Sequence, residues 1–277
     1  MNKQKLLDTF LKSVLVLDTE STGLDPKEVE ICEIGNTQIK DNTPAKADIL
    51  FGTKEPIPFA ASSKNNISRD MLKGKPTIGD NLEAAFTILE LDSDTIKYNV
   101  AHNYLYDKII LESTFKREGA EEFSELLNSR KWICTFRLAQ HLFKPTTTDN
   151  WSYQLNYLRY AFDLKVGDMV CHRAGDDCYI TFKLLEYIAN HVLDTLEEAG
   201  ELDDKFDLGK YMYDLSSSPI IYDVFPWGKH QGTKLEDVPS DYYKWLLTKS
   251  DVLDETKDGY NADLAASIEK ELQRRNF

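Results

Sequence analysis

Apolar and polar positions alternate through the first part of the chain. Residues 14 to 18 (VLVLD) form a short β-branched run ending on an acid, and 29 to 39 (VEICEIGNTQI) resume the alternation after the turn-forming GLDP at 23 to 26. This predicts a hairpin of two strands. A third strand is expected over 49 to 53, before a loop marked by Pro56 and Pro58. Asp80 precedes Leu82, Phe86 and Leu89, the pattern of a capped helix. The run IKYNVAHN at 96 to 103 reads as a strand, followed by a helix carrying Ile109, Ile110, Leu111 and Phe115. Helical periodicity is expected over 132 to 143, over 151 to 162 with Leu155 and Leu158 on one stripe, and over 178 to 193. Strands and helices mixed in this order predict an α/β or α+β layered fold.

Composition narrows the class without changing that picture. With 277 residues, 42% hydrophobic and 29% charged, the chain has the balance of a globular protein and excludes disorder, collagen and a disulfide scaffold. Four cysteines, Cys32, Cys134, Cys171 and Cys178, lie far apart and read as reduced, mostly buried thiols. Asp18 interrupts the Val14 to Leu17 run, which is too short for a secretory core or a membrane span, so a cytoplasmic protein is expected. Seven acids against Lys205 alone occupy 194 to 207, and SSSP follows at 216 to 219. This shift divides the chain into a main domain over 1 to 195, an acidic and Ser-rich linker over 196 to 218, and a small module over 219 to 277. In that module Gly228 and Gly232 bracket Lys229 and His230 in a tight turn. That turn, with Lys234 nearby, reads as a plain hairpin with solvated charges or as a phosphate clamp, and Tyr242, Tyr243 and Trp245, at helical spacing, are expected to be the module's core rather than a base platform.

The chemistry lies in the acids. Asp18 and Glu20 sit two apart at a strand end, where side chains at i and i+2 share a face. Two carboxylates so close need a positive charge between them, most simply a divalent cation with oxygen ligands. By itself the pair also fits a surface strand end. Asp107, in AHNYLYD, opens a helix; there it either reaches a site at the strand ends or satisfies free backbone N–H groups. His102 and Asn103 equally fit side-chain hydrogen bonds that hold the loop. HRAGDDCYIT places His172 in a loop and Asp177 in the first turn of the next helix. Four carboxylates and a histidine, each at a strand end or helix start, are the parts of two-metal phosphodiester hydrolysis. The net charge of −14, from 33 basic and 47 acidic residues, does not exclude a nucleic-acid substrate, because bound cations reverse the sign that a phosphate meets.

DTESTGLDP (18 to 26), EICEIG (30 to 35), AHNYLYD (101 to 107) and HRAGDDCYIT (172 to 181), in this order, resemble the DEDD 3'–5' exonuclease superfamily in its His-containing subclass. The likeness continues through WICTFRLAQHLF (132 to 143) and WGKHQGTKLEDV (227 to 238). It implies an α/β, RNase H-like fold, a mixed five-stranded sheet flanked by helices, with the small C-terminal module attached. It also implies that Asp18, Glu20, Asp107 and Asp177 bind two Mg2+ ions, or Mn2+ in their place, with Asp18 bridging and His172 as general base. The activity implied is 3'–5' exodeoxyribonuclease action on single-stranded DNA or DNA 3' ends, releasing nucleoside 5'-monophosphates. Thr19, Thr22, Leu24, Asn103 and Phe136 are the expected substrate contacts. No residue discriminates the sugar, so RNA stands as the alternative substrate. An inactive nuclease-like binding module is the alternative of a different class. Members often pair as homodimers, and no interface is legible. Two departures from the pattern are Tyr106, where Phe is usual before the third acid, and Asp176, a second carboxylate beside Asp177.

Overall fold

The computed structural model describes residues 2–144, 151–203 and 205–275. The chain forms two compact units, Met1–Ser217 and Ser218–Phe277. The first is built on five strands, β1 (Val14–Ser21), β2 (Ile31–Lys40), β3 (Thr43–Leu50), β4 (Tyr98–Ala101) and β5 (Lys131–Cys134), in the order β3-β2-β1-β4-β5. β1 runs antiparallel to β2 and parallel to β4, and β4 runs parallel to β5. The mixed α/β sheet that the resemblance implies is present.

Helices cover both faces of the sheet. In chain order the first unit carries α1 (Lys3–Leu11), α2 (Phe59–Asn65), α3 (Arg69–Leu72), α4 (Leu82–Ile88), α5 (Leu105–Arg117), α6 (Glu121–Asn128), α7 (Thr135–Leu142), α8 (Leu155–Ala161), α9 (Ala174–Glu198) and α10 (Leu208–Ser217). Alternation along β1 sorts its side chains: Val14 and Val16 pack with Phe182, Leu185 and Ile188 of α9, whereas Leu17 packs with Ile110, Leu111 and Phe115 of α5. Asp18 and Glu20 therefore continue the α9 face, and Thr19 continues the α5 face. Covered on both sides, β2 is buried without a break from Ile31 to Gln38. Each large apolar side chain enclosed this way contributes about 1.5–3 kcal/mol.

α9 can sit this close because of one glycine. Gly35 lies opposite Asp18 in the β1–β2 register. A Cβ there would fall 2.4–2.6 Å from backbone atoms of Ala174 and Gly175. No rotamer change relieves an overlap with backbone, so only glycine lets the first turn of α9 rest on the sheet beside the acids.

Several boundaries differ from the sequence expectation. The third strand is Thr43–Leu50 rather than 49 to 53, because Asp41 and Asn42 take left-handed conformations and close a two-residue hairpin with β2. Pro44 is tolerated because β3 is an edge strand. The expected helix over 132 to 143 begins as β5, since Trp132 and Ile133 pair parallel to β4, and becomes helical only at Thr135. The helix expected over 151 to 162 is confined to Leu155–Ala161; Trp151 instead packs edge-on against Tyr153 and Tyr157. The segment expected as a linker contains α10, whose Leu208 and Met212 join the α9-side core, so the division falls after Ser217. α1 has no counterpart in the expectation, yet buries Leu7, Phe10 and Leu11.

The second unit holds α11 (Ser240–Lys249) and α12 (Ala262–Arg274) around Phe225, Leu235, Val238, Tyr243, Leu246, Leu264 and Ile268. Gly228 and Gly232 are left-handed, and the turn between them is closed by Phe225 N–H donating to the Thr233 carbonyl at 2.8 Å. Of the three expected core aromatics only Tyr243 is fully buried. Tyr242 is half-buried, and Trp245 is 48% exposed because it falls on the solvent side of α11.

Candidate active site

The acids meet at the C-terminal end of β1. Carboxylate oxygens of Asp18, Glu20 and Asp177 all lie within 4.8 Å of one another. Two come from alternate positions of one strand and the third from the first turn of α9, brought in by the Gly35 contact. Glu20 also faces Glu33 across the β1–β2 register. Asp107 stands outside that trio of oxygens, on α5. Its Oδ1 accepts from the Thr19 backbone N–H at 2.9 Å and from Thr19 Oγ1 at 2.8 Å, which clamps α5 to the strand between the other two acids.

Burial and mutual repulsion make this cluster uncomfortable as it stands. Burial first, then the charges of Asp107, Asp177 and Glu20, push the Asp18 carboxyl well above the usual range. Glu20 is pushed up to about 8 by burial and by Asp177 and Glu33. Asp107 is pushed up to about 7 by burial, against the pull of its Thr19 hydrogen bonds. Asp177 is likewise raised by burial, with the His172 backbone N–H holding it back. A set of hard oxygen donors this crowded fits divalent cations, whose charge would replace the missing protons.

A stability prediction follows from these shifts. Folded values above the unfolded 3.8 and 4.5 mean that the folded state keeps protons the unfolded chain releases. The resulting stabilisation is fully present below about pH 4 and is lost as pH rises through about 7 and about 8. In EDTA the melting temperature should therefore be higher at pH 7 than at pH 9, and a saturating divalent cation should remove most of the difference. Thermal melts checking this would refute the account if the cation-free protein melted higher at pH 9.

The other expected site residues are placed as follows. His172 is exposed and left-handed, φ +71°; its backbone N–H, not its imidazole, is what contacts Asp177, at 2.8 Å from Oδ2. Asp176 is drawn away to Lys46 and to the Val170 backbone N–H, which leaves Asp177 as the inward acid of the pair. Thr22 hydrogen-bonds to Glu30 through backbone and hydroxyl, prolonging the hairpin past the irregularity after Glu20. Leu24 projects from the loop tip, 92% exposed. Asn103 is exposed and left-handed, φ +69°. Phe136 is half-buried, edge-on to His102 and Tyr153. His102 itself bonds through Nδ1 to Thr135 Oγ1 and through Nε2 to the Tyr153 carbonyl, both at 2.9 Å, and burial lowers it to about 4; it is a neutral structural residue.

Two side chains beyond that set shape the site. Glu33, fully enclosed, accepts from Arg173 Nη2 at 2.5 Å and Nε at 3.2 Å, and from the Ala174 backbone N–H at 2.9 Å. It therefore caps α9 from the sheet and fixes the His172–Asp177 turn. The alternation of EICEIG places Glu33 beside the acids, which was the available signal. Tyr106 OH meets Ser21 Oγ at 2.7 Å and donates to the Gly23 carbonyl at 2.9 Å, tying the loop after β1 to α5. A phenylalanine could not make these bonds.

The chain is similar to known proteins over much of its length. Exodeoxyribonuclease 10 of Escherichia coli (strain K12) is 26% identical over 240 residues, covering 85% of this chain and 91% of that protein. A PolC-type DNA polymerase III of Thermotoga petrophila is 30% identical over 198 residues, 70% of this chain and 13% of the polymerase. A solved structure of exonuclease X in complex with 5' overhanging duplex DNA matches with a TM-score of 0.50 and 24% identity, over 74% of this chain and 99% of that one. The family model for the exonuclease domain matches residues 15–185, more than half of the chain and a span that contains all four acids and His172. The chain therefore belongs to the exonuclease family.

Proposed function

We propose that the protein is a 3'–5' exodeoxyribonuclease of the cytoplasm that uses two Mg2+ ions, or Mn2+ in their place, to release nucleoside 5'-monophosphates from DNA 3' ends. The observation that carries this reading is the convergence of the Asp18, Glu20 and Asp177 oxygens within 4.8 Å, with Asp107 clamped beside them. Bound cations would supply a more acidic attacking water and counter-charge for the leaving 3'-oxygen.

This chain's residues do the rest. Asp18, Glu20, Asp107 and Asp177 would hold the cations, with Asp18, central on β1, as the ligand common to both. His172 receives the proton of the attacking water on its imidazole; the backbone bond to Asp177 keeps the base next to the ligand set. Leu24, exposed at the loop tip, would wedge apart the last bases of a strand, and Phe136, edge-on to His102, would offer them an aromatic edge. The likeness to exodeoxyribonuclease 10, over 91% of that protein, supports DNA rather than RNA as the substrate here.

A 5'-labelled single-stranded oligodeoxynucleotide tests the proposal. With Mg2+ or Mn2+ it should yield a ladder shortening from the 3' end with release of mononucleotides, and with EDTA it should stay intact. A matched RNA strand, differing only in the 2'-hydroxyl, should be degraded more slowly. Intact DNA with every divalent cation, or label released first from the 5' end, would refute the reading. His172→Ala should lower kcat by about 10²–10⁴. A loss below about threefold would mean that the imidazole does not take the proton.

A further inference from the structure

The second unit carries an aromatic array that starts at its core, where Tyr242 and His230 meet the buried Phe225, and runs outward to Trp245. Along α11, Tyr243 and Leu246 point inward and are buried. Tyr242, Trp245 and Lys249 recur at spacings of three and four, forming a separate stripe on the same helix. Tyr242 and Trp245 stack with ring centres 5.5 Å apart and planes 23° apart, and the His230 ring meets Tyr242 at 4.4 Å, edge-on. Three rings thus form one continuous surface, open at the Trp245 end. Tyr242 also meets the enclosed Phe225 at 5.6 Å, whereas Trp245, at the far end, is largely open to solvent.

The charges around it are as informative. The second unit as a whole is acidic, with 8 basic against 11 acidic residues over 218 to 277, but Lys229, Lys234, Lys244 and Lys249 fall within 225 to 250 against three acids. Lys234 and Lys244 make only loose surface pairs, at 3.8 Å with Glu236 and 3.7 Å with Asp241. Among the described residues, Lys229 and Lys249 make no ion pair. Lys229 is adjacent in sequence to His230, and Lys249 continues the Tyr242–Trp245 stripe at the rim of a hollow it shares with Asp251, Asp254 and Glu255. Planar faces flanked by free ammonium groups match a ligand that alternates flat bases with phosphates.

We infer that the second unit binds single-stranded polynucleotide, stacking unpaired bases on Trp245, Tyr242 and His230 while Lys229 and Lys249 contact the flanking phosphates. Binding of this kind is tolerant of sequence, because every base has a face to stack. It does not depend on the cleavage chemistry of the first unit.

The test uses the full chain in EDTA, where no cleavage occurs, and follows the anisotropy of a labelled 20-nucleotide oligothymidylate. Trp245→Ala should weaken binding about tenfold and Trp245→Phe much less, since a ring remains to stack. Lys249→Ala should reduce the dependence of affinity on salt by about one counterion. Both side chains are exposed, so thermal melts should match the parent. Hydrolysis of a chromogenic thymidine 5'-phosphate ester, too short to reach a second surface, should be unchanged in both. If catalysis failed altogether the binding result would still stand. Affinities of Trp245→Ala and Lys249→Ala within about twofold of the parent would overturn the inference. So would a change in sedimentation with unaltered strand binding, which would make the stripe an interface between two copies of this chain.

Discussion

Asp18→Asn should abolish cleavage and, in the same protein, raise the melting temperature measured without cations. The two effects share one cause. Asp18 is pressed by burial and by the charges of Asp107, Asp177 and Glu20, so replacing it with a neutral residue of the same shape relieves repulsion. The same exchange removes the ligand in the middle of the set. Loss of activity should exceed about 10³-fold, or about 4 kcal/mol of transition-state stabilisation. The cation-free gain should be about 1 kcal/mol, a rise of roughly 2–4 °C for a unit of this size. Saturating Mg2+ should raise the melting point of the parent far more than that of the variant, because stabilisation by a ligand depends on its affinity for the folded state alone. Steady-state rates and paired melts decide the matter. A variant that retained a tenth of the parental rate, or that melted lower in EDTA, would mean that Asp18 is not the centre of a cation site.

Glu33→Ala should cost about 3 kcal/mol of stability and damage catalysis without removing a ligand. Glu33 is wholly enclosed and answers three donors, two on Arg173 and one at the Ala174 backbone. Removing one partner of an enclosed pair leaves the other unsatisfied, which costs about 3–5 kcal/mol; partial exposure of Arg173 places this case at the low end. The first turn of α9 then loses its tie to β2, and Asp177 sits on that turn. The expected outcome is a lowered denaturation midpoint, together with a weaker apparent affinity for the divalent cation. Glu33→Gln, which can still accept from Ala174, should recover part of both. Equal cation affinity in the alanine variant and the parent would show that the capping bond has no part in placing Asp177.

Much of this site was legible in the residues, and the reason is local. Asp18 and Glu20 are two apart on a strand, so their sharing of a face follows from the backbone alone. Asp107 and Asp177 lie in first helical turns, a placement that capping preferences make visible. What was not legible depends on partners distant in sequence. Trp132 carries an apolar pattern that suits a helix as well as a strand, and only the free edge of β4 decides for β5. α10 has too polar a surroundings to announce itself, yet Leu208 and Met212 find a core formed by α9. The role of Glu33 required knowing that Arg173 arrives opposite it, and the exposure of Trp245 required knowing that Tyr243 had already filled the centre of its unit. The strand over 43 to 50 is a different case, because Asp41 and Asn42 are a turn signal that the residues did offer.

The dependence of the acid cluster on Gly35 also bears on synthesis. β1, with Asp18 and Glu20, is translated well before the helix turn that rests on Gly35 and carries Asp177, which follows only after most of the first unit has been made. Until then the growing polypeptide holds two or three of its acids and no means of gathering them. The set of acids is therefore complete only once α9 has docked on the sheet.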